Sequence, residues 1–294
     1  MPAGFETLLH QIASGMANGA IYAGLALALV IVYRATHHVN FVQGELAVFS
    51  TFIVWTLLQA QFPYWAALAI SLVLSFVLAA LIEAFILRSF ANAPAFTVVS
   101  VLIGLLIVQN SLNGAVFGYL TKQVPSPFPD TFIVSTKFFS SHQLGSLLTI
   151  LGVIVAVYLL LRFTKLGLAM RAVADNPVSS SLSGIPVGLI LAASWGIAAC
   201  VGAIAGVLTA PVVYLEPNMM MGVLVYAFAG ALLGGIDNPW GAAVGGFLVG
   251  IGENLAGAYV VGTELKLGFA MTVIVGVLLL KPAGLFGRAT IERV

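Results

Sequence analysis

Nine runs of apolar residues, each about twenty residues long, follow one another along this 294-residue chain. An α-helix needs about twenty apolar residues to cross the hydrocarbon core of a bilayer. A transmembrane β-barrel would show alternating segments of about ten residues instead. The runs predict an all-α polytopic membrane protein with eight or nine transmembrane helices, at about 11–33, 41–60, 63–87, 95–117, 146–163, 187–210, 218–235, 240–259 and 264–281.

The charge content supports a lipid-facing surface. Charged residues make up 7% of the chain and hydrophobic residues 61%, whereas an ordinary soluble domain carries about 25% charged residues. A surface exposed to water cannot be built from so few charges, so we expect one transmembrane domain over 1–294. Polar interruptions around 36–46 and 211–240 could mark half-helices that re-enter the membrane rather than cross it.

The basic residues predict the orientation. With nine crossings the loops alternate sides, and eight of the eleven Lys and Arg residues fall on one side and three on the other. Cytoplasmic loops carry the excess of Lys and Arg. We therefore expect the N-terminus outside, the C-terminus in the cytoplasm and 118–145 outside. The majority comprises Arg34, Arg88, Arg162, Lys165, Arg171, Lys281, Arg288 and Arg293, and the minority Lys122, Lys137 and Lys266.

Many of the 31 glycines lie four residues apart. On a membrane helix this spacing lets two backbones approach closely. The pairs are consistent either with a seam between two chains or with helix packing inside one chain. They are Gly15/Gly19, Gly202/Gly206, Gly230/Gly234, Gly241/Gly245 and Gly246/Gly250.

Several polar side chains lie within or at the edges of the apolar runs. The stretch HHVNFVQGEL at 37–46 places Asn40, Gln43 and Glu45 at the start of the second run. Asn40 and Gln43 have the spacing of a capping box, and Gly44 permits a bend. Further along, Gln109, Asn110 and Asn113 lie within the fourth run, and Glu83, Glu253 and Asn254 in others. Such groups are costly in hydrocarbon, so they either join helices or line a wet cavity.

The sequence contains no catalytic constellation. No lysine precedes Ser or Thr, so the chain lacks a phosphate-binding loop of the G-x-x-x-x-G-K-[ST] type. It has no H-E-x-x-H motif, and its single cysteine, Cys200, is expected to pack in an apolar run. The net charge of +1, without a basic stripe, gives no indication of nucleic-acid binding. We therefore expect a chain that is not an enzyme and holds no metal or cofactor itself.

A second polar stretch, 164–186, falls on the predicted cytoplasmic side. Residues 168–174 favour a short helix, Asn176-Pro177 can end one turn and start another, and Gly184-Ile185-Pro186 is a stop signal. A short, mildly apolar helix outside the membrane favours a docking surface for another protein. The alternative is a plain connecting loop.

Four stretches resemble one transporter family. NFVQGEL at 40–46 is similar to its Asn-Phe-x-x-Gly-Glu segment, and LGLAMRAVADNPVSSSLSGI at 166–185 to its cytoplasmic coupling segment. AFAGALLGGIDNPWGAAVGGFLVGIGE at 227–253 resembles its glycine-rich late helices, and KPAGLFG at 281–287 its ending. The family is that of permease subunits of ATP-binding-cassette (ABC) importers for branched-chain amino acids, the shorter of the two permeases. Val42 departs from the Ala or His of many relatives, which leaves the cargo open.

The resemblance implies a bacterial plasma-membrane complex. Its expected partners are a second related permease, two cytoplasmic ATPase subunits that bind ATP and magnesium, and an extracytoplasmic binding protein. It also implies two pseudo-symmetric halves and broken helices around a midplane site. The cargo would be branched-chain amino acids, or alternatively urea, short amides or aromatic acids. A self-sufficient secondary transporter or channel is the alternative of another class.

Candidate site residues follow from these expectations. We predict that Asn40, Gln43, Glu45, Gln109, Asn110 and Asn113 line the substrate pathway. The competing interpretation of Glu45 is a structural one, in which it pins a neighbouring backbone. For contact with the ATPases we predict Ala169, Arg171, Ala172, Asp175, Asn176 and Gly184.

Overall fold

Eleven α-helices form the described part of this computed structural model, which comprises residues 3–91, 93–129 and 138–287, with side chains from Glu6 onward. Lys137, Arg288 and Arg293, which entered the orientation prediction, lie outside these residues. The helices are α1 Ala3–Thr36, α2 Gln43–Gln59, α3 Tyr64–Leu81, α4 Ala95–Phe117, α5 Ser141–Phe163, α6 Lys165–Asp175, α7 Pro177–Leu182, α8 Val187–Val213, α9 Met219–Gly234, α10 Pro239–Tyr259 and α11 Lys266–Leu280.

Each of the nine predicted apolar runs coincides with one of these helices, so the all-α prediction is confirmed. Within the described residues, six helical stretches are long and apolar enough to cross a bilayer, including α3 with its extension to Phe90. That extension is a π-helical turn, Ile82–Ile86, followed by a 3₁₀ turn, Leu87–Phe90. Helices α2 and α9 have 17 and 16 residues, so each spans about 25 Å, slightly less than the roughly 30 Å hydrocarbon core.

The chain divides into two compact units, and each contains segments from both halves of the sequence. One unit comprises Met1–Val30, Ser126–Leu151 and Gly222–Val294, and the other Ile31–Pro125 and Gly152–Met221. We call them the first and the second unit. The predictions of a single permease domain over 1–294 and of pseudo-symmetric halves stay predictions.

In the second unit, α2, α3 and α8 pack closely against one another. Val54, Ala67 and Val207 form a fully buried cluster between them. A Cβ atom on Gly206 would lie 2.8 Å from the carbonyl oxygen of Ala47, so glycine is needed for the close approach of α2 and α8. The small residues of this predicted pair therefore serve packing inside the chain.

Polar side chains add hydrogen bonds between α2 and α3. The Ser71 hydroxyl donates to the Ser50 carbonyl oxygen at 2.6 Å, and the Ser50 and Ser75 hydroxyls are 2.5 Å apart. These bonds between buried groups run between helices of opposite direction. Phe52 of α2 stacks on Phe117 of α4 with ring centroids 4.5 Å apart. The Asn110 side-chain amide of α4 also lies 3.2 Å from the Glu45 carboxylate of α2. The order of these two contacts places α2 and α4 in the same direction, as expected for two crossings separated by a third.

In the first unit, glycines bring α1, α9 and α10 together. A Cβ atom on Gly250 would collide with the backbone of Gly19, and one on Gly230 would lie 2.6 Å from the Cα atom of Gly246. The turn before α10 has Gly235 at a φ of 110°. Asn238 then caps α10, because its Oδ1 accepts hydrogen bonds from the backbone N–H groups of Trp240 and Gly241 at 3.1 and 3.2 Å.

Candidate functional site

The start of α2 is the first part of the candidate site. The chain leaves α1 at Thr36, passes His37 at a φ of 56°, and enters α2 at Gln43. The Asn40 Oδ1 accepts a hydrogen bond from the Val42 backbone N–H at 3.0 Å, which closes an Asx turn before the helix. Val42 is the residue at the N-cap position, and no side chain caps it. The predicted capping box therefore does not form, because the Asn40 side chain accepts from Val42 N–H, and only the Asn40 backbone carbonyl oxygen accepts from Gln43 N–H, at 3.4 Å.

Asn40 and Gln43 are fully buried and hydrogen-bonded to each other. The Asn40 amide donates to the Gln43 Oε1 at 3.1 Å, and the Gln43 amide donates to the Ala198 carbonyl oxygen of α8 at 2.9 Å. A Cβ atom on Gly202 would collide with the Gln43 amide nitrogen, so that glycine makes room for this bond. Both side chains connect the start of α2 to α8. A pathway role for them stays a prediction.

Glu45, which lies in the first turn of α2, faces protein rather than lipid and is only 3% exposed. The Asn110 side-chain amide lies 3.2 Å from both carboxylate oxygens. The Asn113 amide lies 3.3 Å from the Glu45 backbone carbonyl oxygen and 3.4 Å from its carboxylate. Gln109 donates to the Asn113 Oδ1 at 3.3 Å and so orients that amide. The structure thus brings four of the predicted pathway residues together.

The segment before α9 completes this cluster. The Asn110 amide also lies 3.2 Å from the Pro217 carbonyl oxygen and 3.1 Å from the Asn218 Oδ1. Asn218 immediately precedes α9, and it is exposed. One amide on α4 therefore touches the residues at the starts of both short apolar helices. We call Glu45, Asn110, Asn113, Pro217 and Asn218 the amide–carboxylate cluster.

A backbone bridge to the chain that follows α4 fixes the segment before α9. Lys122 and Leu215 exchange two backbone hydrogen bonds of 2.9 Å as an isolated antiparallel bridge. The Lys122 ammonium lies 5.0 Å from the centroid of the Trp55 ring, a cation–π distance. The bridge fixes 214–216 beside the chain that follows α4, which positions Pro217 and Asn218 next to Asn110.

The two histidines before α2 lie in the segment between α1 and α2. Burial, with a smaller contribution from the neighbouring His37, lowers the pKa of His38 below its usual range. The backbone N–H and carbonyl groups of His38 contact the Thr36 hydroxyl at 3.3 and 3.4 Å, just after the end of α1.

The predicted coupling segment folds into two short helices. Thr164 caps α6, because its hydroxyl accepts from the Gly167 N–H at 3.0 Å. Asn176 ends α6 and caps α7, with its Oδ1 accepting from the Ser179 N–H at 2.9 Å. Gly184 adopts a φ of 82° after α7. The predicted signals at Asn176-Pro177 and Gly184 coincide with helix ends, but the segment contains two short helices where the sequence predicted one.

Helix α6 is amphipathic and exposes one face. Gly167, Met170 and Val173 are buried, while Ala169 and Ala172 are half-buried. Arg171, Asp175, Asn176 and Gly184 are exposed. Apolar side chains are exposed beside them: Leu168 at 60%, Val178 at 71% and Leu182 at 86%. The segment therefore presents a surface of mixed apolar and charged groups. That it contacts ATPases stays a prediction.

Residues 11–278 match the family model described as branched-chain amino acid transport system / permease component. The chain belongs to this family. It is 28% identical to the high-affinity branched-chain amino acid transport system permease protein LivH of Escherichia coli K12, with 99% of both chains covered. It is also 28% identical to the corresponding protein BraD of Pseudomonas aeruginosa, with 97% of this chain and 98% of that one covered.

A shorter match involves a different transporter. The chain is 33% identical over 118 residues to the xylose/arabinose import permease protein XylH of Sulfolobus acidocaldarius, covering 38% of this chain and 33% of that protein. No solved structure matches the chain at a significant level. As a member of this permease family, the protein is a transport component embedded in the membrane through several apolar helices.

Sequence reasoning missed two members of the amide–carboxylate cluster in this permease. Asn218 follows a proline, and Pro217 contributes only its backbone carbonyl oxygen. The available signal was the polar interruption at 211–222 between two apolar runs. Its pairing with Asn110 could not be read from the sequence, because the two positions are about a hundred residues apart.

Proposed function

We propose that this chain is the membrane-spanning permease of an ABC importer that moves branched-chain or chemically related amino acids into the cytoplasm. The observation that carries the proposal is the near-complete coverage of the chain by permeases named for branched-chain amino acid transport. The exposed face of α6 and α7 supports the ABC mechanism in particular. A secondary transporter or channel has no need of such a surface.

The docking surface for partner ATPases consists, in this proposal, of the exposed side chains of 164–186. Leu168, Val178 and Leu182 supply exposed apolar area, and the exposed Arg171 and Asp175 add polar groups. An exposed apolar patch outside the membrane is typical of a protein-binding surface. ATP and magnesium are bound by those partner subunits, and this chain acts as the conduit rather than as an enzyme.

The pathway, in the same proposal, passes the amide–carboxylate cluster. Exposed amides such as that of Asn218 are costly against hydrocarbon, so this side of the second unit faces water or protein. A second related permease is the expected neighbour, and an extracytoplasmic binding protein delivers the cargo. Urea, short amides or aromatic acids are alternative cargos for the same mechanism. Part of the chain is also similar to a permease named for xylose and arabinose import, so sequence similarity alone does not select the cargo.

Reconstitution tests this function. In proteoliposomes containing the chain with its partner permease, ATPases and binding protein, we expect uptake of L-leucine that depends on ATP. The Leu168→Glu variant should lose ATPase binding and uptake, because it places a charge in the apolar docking surface. The fold of the chain itself should be unaffected, because Leu168 is 60% exposed.

The Leu120→Glu variant is the matched control. Leu120 is 82% exposed and lies after α4, on the opposite side of the membrane from α6 in the proposed topology. The Leu120→Glu variant should copurify with the ATPases as the wild type does. Uptake by the chain alone, without ATP or ATPases, would instead identify a secondary transporter or channel.

The proposed topology has the N-terminus outside and the C-terminus in the cytoplasm of a bacterial cell. Ser180 is buried, whereas Ser181 and Thr121 are exposed, so the latter two suit labelling after replacement of the half-buried Cys200 by serine. With an impermeant thiol reagent, we expect labelling of the Thr121→Cys variant in intact cells. The Ser181→Cys variant should react only after permeabilisation, and the reverse pattern would invert the topology.

A further inference from the structure

Glu45 differs from the other buried carboxylates in its electrostatic surroundings. Glu83 pairs with Arg88 at 2.8 Å, and Glu253 pairs with Lys266 at 3.3 Å. Within the described residues, no Lys, Arg or His forms an ion pair with Glu45. Its carboxylate is surrounded by amide groups, although it is as deeply buried as the other two. A buried carboxylate is costly unless a cation or several good hydrogen bonds compensate it.

The hydrogen bonds that Glu45 receives are long. Its carboxylate oxygens lie 3.2 to 3.4 Å from the amide nitrogens of Asn110 and Asn113. An N–H···O hydrogen bond from a neutral amide usually has a donor–acceptor distance of about 2.9–3.0 Å, and the charged Arg88 reaches Glu83 at 2.8 Å. The amides therefore compensate the Glu45 charge only partly.

The cluster also contains more acceptors than donors. The single NH₂ group of Asn110 has two hydrogens. It lies within 3.2 Å of four oxygen atoms, two from Glu45 and one each from Pro217 and Asn218. Two hydrogens cannot serve four acceptors with good geometry. A ligand that complements this arrangement must bring a positive charge and several N–H donors.

A primary ammonium group has both properties, since it carries one positive charge and three donors. We propose that the amide–carboxylate cluster is a binding site for the ammonium group of a zwitterionic cargo, with Glu45 as its counter-charge. The proposal rests on the proposed function and specifies which part of the cargo is recognised. Access is from the side of Asn218, the exposed member of the cluster.

The site is tested by measuring how well two analogues of leucine displace leucine itself, one without the carboxylate and one without the ammonium group. The full complex in nanodiscs, without binding protein, is titrated with radiolabelled L-leucine in competition with 3-methylbutylamine, which lacks the carboxylate, or with 4-methylpentanoate, which lacks the ammonium. We expect the amine to compete and the acid to fail. This comparison uses the wild-type complex and is independent of how any variant folds.

The Glu45→Gln variant should weaken binding of both leucine and the amine by roughly 10- to 100-fold, the loss expected for hydrogen bonds to a charged group. Glu83→Gln is the matched control, because it removes the charge of the other buried glutamate in the second unit, which already has Arg88 as partner. Its affinity for leucine should equal that of the wild type.

Other outcomes overturn the inference. Competition by the acid but not by the amine, or unchanged amine affinity in a folded Glu45→Gln complex, would contradict an ammonium site. Loss of leucine binding when sodium is replaced by choline would identify a metal cation as the counter-charge. In each case ATP-dependent leucine uptake by the wild type would leave the proposed function intact, whereas absence of that uptake would overturn the proposed function itself.

Discussion

The Gly250→Leu variant is expected to yield no folded protein. A Cβ atom at this position would collide with the backbone of Gly19 and lie 2.7 Å from the Gly15 carbonyl oxygen. Neither neighbour is a side chain that can rotate away, so α1 and α10 would have to separate. Overpacking of a core typically costs about 1–3 kcal/mol where side chains can adjust. We expect a larger loss here, measured as the fraction of monodisperse protein after extraction into detergent.

Gly276→Leu is the matched control for this prediction. Gly276 lies on α11, and a Cβ atom there would meet no atom within 4 Å. The same change in volume should therefore leave the yield and the thermal-unfolding midpoint near those of the wild type. If Gly250→Leu were as stable as this control, the close contact between α1 and α10 would not be required for folding.

The glycine spacing illustrates what the sequence could predict and what it could not. Small residues four apart correctly indicated close helix contacts at Gly15/Gly19 and Gly246/Gly250. The same pattern left open whether the neighbour was another chain or the same one. In the structure these four glycines pack against backbone of their own chain. The periodicity of a single helix carries no information about the identity of its neighbour, so only the three-dimensional packing decides this.

The positions of the helices along the chain could be predicted from the sequence. The apolar runs must be long enough to satisfy the backbone within lipid, so their ends are marked by polar residues, Pro and Gly. Asn176-Pro177 lies where α6 ends and α7 begins, as the sequence indicated, because Asn176 caps α7. The start of α2 was harder, since Asn40 could bond either as a helix cap or in the Asx turn that it adopts.

The candidate site was predictable in its residue types but not in its partners. Burial costs alone indicated that Glu45, Gln109, Asn110 and Asn113 face protein or water rather than lipid. Their convergence depends on α2 and α4 running side by side in the same direction. The contributions of Pro217 and Asn218 depend in addition on the bridge between Lys122 and Leu215. Such contacts across long sequence separations have no local signature.

A polar network in the first unit is the second feature whose loss should strongly lower the stability of the protein. Glu253 accepts a hydrogen bond from the Tyr22 hydroxyl at 3.0 Å and pairs with Lys266 at 3.3 Å. The Lys266 ammonium also donates to the Asn254 Oδ1 at 3.0 Å, and the Asn254 amide donates to Gln11 at 2.7 Å. Helices α1, α10 and α11 are thereby connected by one set of bonds. This matters most for α11, whose surface is otherwise largely exposed.

Replacement of Lys266 by methionine should destabilise the protein strongly. Methionine keeps the length and apolar stem of the side chain but leaves the Glu253 carboxylate, whose side chain is 4% exposed, without a cation. Removing one partner of a buried ion pair costs about 3–5 kcal/mol, because the remaining charge is uncompensated. We expect the lower end of this range, since Lys266 is 23% exposed. The measurement is the thermal-unfolding midpoint in detergent.

The double variant Glu253→Gln/Lys266→Met separates the charge from the packing. If the unpaired carboxylate causes the loss, neutralising it should restore a large part of the stability, although the lysine is still absent. The exposed Lys281 provides a control, since Lys281→Met should change stability by no more than about 0.5 kcal/mol. A double variant as unstable as Lys266→Met would show that the lysine acts through its bond to Asn254 instead, so that α11 is held by hydrogen bonding rather than by charge.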